Sequence, residues 1–249
     1  MHIPSCFKGN RSSPGDENEA YEHNNNSVNS GRSSGGIVRA ACRKMGVKRV
    51  VEAASSIMWS LSSLVNTPPH VVFVGLESSG KSTILFRLKY GQYVNTAPTV
   101  GFNCEKVRTG GHQWAIWDVG GAERVRPLWR SYTRATDALI FVIDSSSTAD
   151  RLEEAKLELF RLAKQQATDC ANLSRPRPPI LVLANKQDLP GAKDCQTLTK
   201  NLGLDEMSEQ QAWTVCPTCA VTGEGLTDAL EILHVMIKKV LKINKDKKS

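Results

Sequence analysis

The run Val71-Val72-Phe73-Val74-Gly75-Leu76-Glu77-Ser78-Ser79-Gly80-Lys81-Ser82 decides the fold: an apolar strand enters a loop of the form GxxxxGK[ST], and an apparent helix from Ser82 to Tyr90 leaves it. In that setting backbone N–H groups and a helix N-terminus converge on one point and favour a bound polyanion. Lys81 reaches the outer phosphates of a nucleotide, and the Ser82 hydroxyl falls on the Mg²⁺ that bridges them. Gly75, Glu77, Ser78, Ser79 and Gly80 form the cradle between them.

The loop alone does not separate ATP from GTP. Downstream, Ile180-Leu181-Val182-Leu183-Ala184 reads as a buried strand ending in Asn185-Lys186-Gln187-Asp188. A carboxylate at Asp188 can accept from the ring N–H and the exocyclic amine of guanine together, a pair that adenine lacks. The Lys186 stem can lie across the base, and Asn185 can tie this loop back to the phosphate loop. Discrimination then rests on leaving Asp188 unpaired with the wrong base. Between these segments, Trp114-Ala115-Ile116-Trp117-Asp118-Val119-Gly120-Gly121 is an apolar strand with a carboxylate near its end. Asp118 is placed to hold Mg²⁺ through water, and the Gly121 N–H to touch a γ-phosphate. Upstream, Pro98 keeps its segment out of helix and presents Thr99 to the metal. Two loops that share one phosphate and lose it together make an order–disorder switch.

The stretches Gly75 to Thr83, Pro98-Thr99-Val100-Gly101-Phe102-Asn103, Trp117-Asp118-Val119-Gly120-Gly121, Arg126-Pro127-Leu128-Trp129, Asn185-Lys186-Gln187-Asp188 and Thr218-Cys219-Ala220 together resemble an ADP-ribosylation-factor-like (Arf family) small GTPase. The likeness covers about residues 46 to 243. Phe86-Arg87-Leu88-Lys89, Tyr93-Val94-Asn95-Thr96 and Ser131-Tyr132-Thr133-Arg134 further resemble its ADP-ribosylation factor-like protein 4 branch. The resemblance implies a P-loop NTPase of the small-GTPase fold, with GTP or GDP and Mg²⁺ as ligands. It implies catalytic roles for Lys81, Thr99 and Gly121, metal contacts from Ser82, Thr99 and Asp118, and nucleotide contacts from Thr83 and from the Cys219 and Ala220 backbone. It also implies a monomer met at its switch loops by an exchange factor, a GTPase-activating protein and effectors. In one respect the chain departs from the family, which places glutamine after the double glycine to orient the attacking water; here the residue is Ala122. Glu123 and Arg124 stand beside it and read as exposed charges at the start of a helix. Slow hydrolysis follows, or, as the alternative, an essentially non-hydrolysing GTP-bound recruiter. A P-loop kinase would need an arginine-rich lid that the sequence does not offer.

Outside these motifs the pattern alternates: strand Asp137 to Asp144, helix Asp150 to Gln165, strand Ile180 to Ala184, short helix Cys195 to Leu202, strand Trp213 to Cys219, and a last helix striped by Leu226, Leu230, Leu233, Ile237 and Val240. Such βαβ alternation predicts an α/β architecture: a mostly parallel six-stranded sheet flanked by helices, with the ligand at the strands' carboxyl ends. Trp117 reads as core, whereas Trp129 and Tyr132, beside the second switch, read as a partner-binding surface.

A chain of 249 residues with 40% hydrophobic content supports one substantial core, assigned to residues 67–243. Residues 1–44 are rich in Ser, Asn and Gly without apolar period and are expected to be disordered. Residues 45–66 carry Val47, Val50, Val51, Ala54, Met58, Leu61 and Val65 at helical spacing, an amphipathic helix. In the resembled family such a helix is released toward lipid with GTP by a hairpin that corresponds to Phe102 to Ile116. Gly46 follows Met45 as at an N-myristoylation start, but Val50 stands where Ser or Thr is expected, which weighs against acylation.

The net charge of +7 is uneven, since from Lys238 onward there are six lysines against one aspartate, leading into a basic tail at 244–249. An anionic membrane surface suits this cluster, as does plain solvation of a helix end. Nucleic acid is not expected, because no aromatic platform accompanies the lysines. Helix and lysines together make a two-signal membrane attachment. Seven scattered cysteines and no secretory signal point to a cytoplasmic protein with peripheral membrane contact, and a nuclear address stays open for the basic tail. Cys216 and Cys219 form a CxxC, but the second belongs to the base-reading loop, which disfavours a dithiol.

Overall fold

The structure, a computed structural model, describes residues 67–246. The extension at 1–44, the amphipathic stretch at 45–66 and residues 247–249 lie outside the described residues.

Within 67–246 the strands are β1 (His70–Val74), β2 (Phe102–Thr109), β3 (His112–Val119), β4 (Ala138–Asp144), β5 (Ile180–Asn185) and β6 (Trp213–Pro217). The helices are α1 (Lys81–Tyr90), α2 (Trp129–Thr133), α3 (Ala149–Asn172), α4 (Cys195–Asn201) and α5 (Leu226–Asp246). Two 3₁₀ turns lie at Glu123–Leu128 and Leu204–Glu206. One six-stranded sheet runs in the order β2-β3-β1-β4-β5-β6. All neighbours are parallel except β2 and β3, which form an antiparallel hairpin pairing Phe102 with Val119 and Thr109 with His112.

β1, β4 and β5 are near-continuous apolar runs because helices cover both of their faces. The period of two sorts their side chains. Val71 and Phe73 join Ile84, Leu85, Trp114, Leu230 and Leu233 on the α1–α5 side, whereas Val72 and Val74 join Phe141, Leu159 and Leu162 on the α2–α3–α4 side. Gly91 ends α1 in the left-handed region, with its N–H donated to the Arg87 carbonyl.

The boundaries differ where polar residues are buried. Helix α3 runs on to Asn172, beyond the expected Gln165, because its last turns exchange apolar packing for polar partners. Gln166 Nε2 donates to the Thr133 carbonyl at 2.6 Å, and Arg130 grips Asp169 through two hydrogen bonds. A stripe of apolar residues cannot announce such turns. Helix α5 likewise continues through Asp246, so the first residues of the basic tail are helical.

The expected partner surface at Trp129 and Tyr132 is a correction. Both are 2% exposed. Trp129 meets Phe141 edge-on and donates its indole N–H to the Gly120 carbonyl at 2.9 Å, so it fixes the double glycine from inside the core. Tyr132 packs with Phe102 and Trp117. A substitution Trp129→Ala is therefore expected to lower the stability of the free protein by roughly 3–5 kcal/mol, the range for truncating a buried Trp. Urea unfolding followed by circular dichroism measures it; a surface role would leave the midpoint nearly unchanged.

Candidate functional site

Parallel strands flanked by crossover helices place their carboxyl ends, and the loops that follow, along one edge. The segments after β1, β3, β4, β5 and β6 meet there. The first is the phosphate-type loop, in which Gly75, Ser78 and Gly80 take φ of 137°, 61° and 97°. Interspersed left-handed residues of this kind curve the backbone into an anion-binding concavity. Two of them cannot be replaced cheaply: a Cβ at Gly75 would lie 2.3 Å from the Val142 carbonyl oxygen, and one at Gly80 would lie 2.3 Å from Asn185 Nδ2.

Lys81 opens α1 and is buried beneath this loop. Its Nζ donates to the Gly75 carbonyl at 2.9 Å and the Leu76 carbonyl at 2.8 Å, with Ser79 Oγ at 3.5 Å. Burial lowers the ammonium from its ordinary value to about 8, against a smaller opposing pull from Asp118. Ser79 is buried, while Glu77 and Ser78 are exposed. Arg151, near the start of α3, reaches the Glu77 carbonyl at 3.4 Å. Thr83 Oγ1 lies 3.1 Å from Thr96 Oγ1, tying α1 to the segment that carries Thr99.

Three oxygen-bearing side chains converge beside the loop. Ser82 Oγ donates to Asp118 Oδ2 at 2.6 Å and lies 2.6 Å from Thr99 Oγ1, which is itself 3.3 Å from Asp118 Oδ2. Asp118 is fully buried, and its Oδ1 has no hydrogen-bond partner among the described residues. A carboxylate with one oxygen orphaned and the other met by two hydroxyls is a hard-oxygen donor set, which suits Mg²⁺ bound through few protein ligands and water. The residues therefore fit that ion.

Gly121 lies against the phosphate-type loop, so tightly that a Cβ would stand 2.3 Å from the Gly75 carbonyl oxygen and 2.6 Å from the Glu77 nitrogen. Ala122 follows in extended conformation and leads into the 3₁₀ turn, with Glu123 and Arg124 exposed beside it.

The Asn185-Lys186-Gln187-Asp188 segment leaves β5 and is joined to both neighbours by one carboxamide. Asn185 Nδ2 donates to the Ser79 carbonyl at 2.8 Å, and its Oδ1 accepts the Ala220 N–H at 3.0 Å. Lys186, at φ 66°, pairs with Asp144 at 2.7 Å. Although burial works against its charge, Lys186 and the hydrogen bonds from Ser146 hold the Asp144 carboxyl below the usual range. Asp188 is exposed and accepts from the Cys219 thiol at 3.1 Å. The Cys219 N–H donates to the Glu224 carbonyl. A base oxygen at this loop would thus share the Ala220 N–H with Asn185. The other thiol of the CxxC, Cys216, is buried and pushed up to about 11 by desolvation, which makes it a poor nucleophile.

Three contributors carry no local sign in the sequence or one that was passed over. Asn103 Nδ2 donates to Asp118 Oδ2 at 2.9 Å across the hairpin, visible only once the register pairs Asn103 with Asp118. Arg126, buried, donates to the Gly121 carbonyl at 3.0 Å and pairs with Glu154 at 2.7 Å. Asp144 could have been found, since a carboxylate ending an apolar strand at this edge repeats the pattern of Asp118.

Comparison with known proteins agrees with this geometry. The sequence profile of the ADP-ribosylation factor family matches residues 54–237. ADP-ribosylation factor-like protein 4C of Homo sapiens is 46% identical over 187 residues, covering 72% of this chain and 92% of the relative. Protein 4A of Mus musculus is 42% identical over 199 residues, covering 78% and 94%. Protein 4D of Mus musculus is 48% identical over 175 residues, covering 68% and 83%. Among solved structures, the Arl6 BBS3 small GTPase of Trypanosoma brucei, with the bound nucleotide analogue GppNp, superposes with a TM-score of 0.62 at 32% identity, covering 70% of this chain and 99% of that one.

The depressed Lys81 has a measurable consequence. Phosphates placed against the ammonium favour its charged form, so the bound complex holds its proton to higher pH than the free protein, whose ammonium titrates at about 8. Nucleotide binding is then coupled to proton uptake above that pH. Affinity for GDP is expected to be level below it and to fall as pH rises through it, which calorimetry in buffers of different ionisation enthalpy will read.

Proposed function

The chain belongs to the ADP-ribosylation factor family, on the side of its ADP-ribosylation factor-like protein 4 relatives, and from that premise we propose that it is a GTP/GDP switch that lingers in its GTP state and recruits effectors at membranes. The observation that carries this reading is the Asn185 carboxamide, which couples the base-reading loops to the phosphate loop through Ser79 and Ala220. Guanine selection by Asp188 and phosphate grip by Lys81 then act as one unit.

In this reading Gly75, Glu77, Ser78, Ser79, Gly80 and Thr83 wrap the phosphates, and Lys81 neutralises charge on the outer ones. Lys186, Asp188, Cys219 and Ala220 hold the base. Ser82, Thr99 and Asp118 hold Mg²⁺, which when bound screens the charge between the outer phosphates. Thr99 and Gly121 belong to loops on opposite sides of the third phosphate and report its presence.

Hydrolysis requires a water aimed at that phosphate. Ala122 carries only a methyl group where the family supplies a carboxamide, so nothing at that position accepts from the water or directs it. Turnover is slow unless an activating partner supplies the missing group. A second reading, a recruiter that essentially never hydrolyses GTP, draws on the same residue. Exchange factors, activating proteins and effectors would meet the switch loops.

Membrane attachment in this proposal uses the amphipathic stretch at 45–66 and the lysines from Lys238 onward, of which Lys238, Lys239 and Lys242 are exposed on α5. Among the described residues no helix is long and apolar enough to cross a membrane.

Single-turnover phosphate release from GTP-loaded protein tests the stalled switch. The substitution Ala122→Gln is expected to raise the rate by ~10²-fold, the scale of one positioned polar group. Equal rates would discard the role of Ala122. Base selection is checked separately by competition, in which excess GDP but not ADP displaces a fluorescent guanine nucleotide.

A further inference from the structure

The tip of the β2–β3 hairpin is pressed onto α5 by contacts that the nucleotide site does not use. His112, the first residue of β3, and His234, on α5, stack with ring centroids 3.7 Å apart and planes 14° apart. Trp114 meets both rings edge-on, at 6.4 and 6.1 Å. Beside them the Thr109 and Thr227 hydroxyls lie 3.3 Å apart. Gly110, at φ +57°, sits so near Glu231 that an added Cβ would come within 3.0 Å of its Cγ.

We propose that this clasp is a proton-operated latch: with His234 neutral it holds the hairpin tip on α5, and protonation of His234 releases the tip and loosens nucleotide retention at the hairpin's far end. The coupling to nucleotide rests on the switch reading given above; the latch itself does not.

The geometry disfavours the charged pair twice over. His234 Nε2 is buried with no hydrogen-bond partner among the described residues, so a proton added there becomes a buried donor without an acceptor. Two stacked imidazolium rings would also bring like charges face to face. Of the other charged groups on α5, Lys238 stands one turn beyond His234 and opposes protonation, and Glu231 stands one turn before it. On β2, Lys106 and Arg108 alternate to the opposite face of the sheet from Val107 and Thr109. Between His112 and Asp118, β3 carries no charged side chain. Burial, followed by His112 and Lys238, lowers the His234 pKa. The sign follows: a base whose folded pKa is depressed binds fewer protons folded than unfolded, so the clasp is fully formed above the ordinary histidine pKa and weakens as pH falls below it.

The hairpin carries the change to the site. β3 holds His112 at one end and Asp118 at the other, and β2 holds Thr109 and Asn103, with Asn103 paired to Asp118. Six residues of strand span about 20 Å, so a tip that lifts from α5 tilts the two strands that position the Asp118 carboxylate. Because β2 is an edge strand, no further strand among the described residues resists that tilt.

The test uses the full chain loaded with a fluorescent GDP analogue. Hydrogen exchange at Val107 and Trp114, corrected for the intrinsic rate, and release of the analogue are followed from about pH 7.5 to about pH 5.5. Wild type is expected to show several-fold faster tip exchange and faster release at the acid end. The double substitution His112→Phe with His234→Phe keeps a stack that cannot titrate and is expected to be nearly level in both. His112→Ala is expected to be fast at both extremes. His70, buried at the start of β1 with its pKa lowered by desolvation, is common to every variant. A phenylalanine pair that follows the wild-type profile, or a level wild type, overturns the latch. Acid-loosened exchange with unchanged release overturns the coupling alone. Failure to retain guanine nucleotide at any pH instead defeats the switch reading, and tip exchange then decides the latch.

Discussion

The site depends on a cation placed almost out of the reach of water. Lys81 is buried, and its described hydrogen bonds go to two carbonyls and a hydroxyl of its own loop. Desolvating an ammonium is costly, and neutral acceptors offset only part of that cost. The loop is thus shaped around a charge that an anion would satisfy better than the protein does. The glycines at 75 and 80, the left-handed Ser78 and the carboxamide of Asn185 hold that shape. Strand packing on both faces of β1 supplies the rigidity behind it.

What the sequence makes legible is what lies close together along the chain. The phosphate-type loop, the Asn185 to Asp188 segment and the fully buried strands can be read because their signals are local: glycine spacing and apolar runs. Three expectations were incomplete or wrong for one shared reason. Trp129 looks like a surface aromatic in sequence because nothing local says that its indole N–H finds the Gly120 carbonyl. The last turns of α3 look polar because Arg130 and Thr133, which satisfy Asp169 and Gln166, lie more than thirty residues upstream. Arg126 and Asn103 serve Gly121 and Asp118 across elements whose register is a property of the sheet. Long-range polar pairing has no period.

The double-glycine segment is held from three directions. Trp129 fixes Gly120 from the core, Arg126 fixes Gly121 from the turn, and Glu154 and Glu158 anchor Arg126 from α3. Arg151 extends the same set to Glu77, which places the phosphate-type loop and the double glycine under one helix.

The closeness of Gly121 to the loop beneath it sets a manufacturing tolerance for the whole device. With less clearance at that seam than a methyl group needs, the two segments touch main chain to main chain, and no side-chain rearrangement can absorb a misfit between them. Any signal that crosses there travels as a rigid displacement of backbone. An alanine at this spot would behave as a shim, holding the halves apart regardless of which ligand is present.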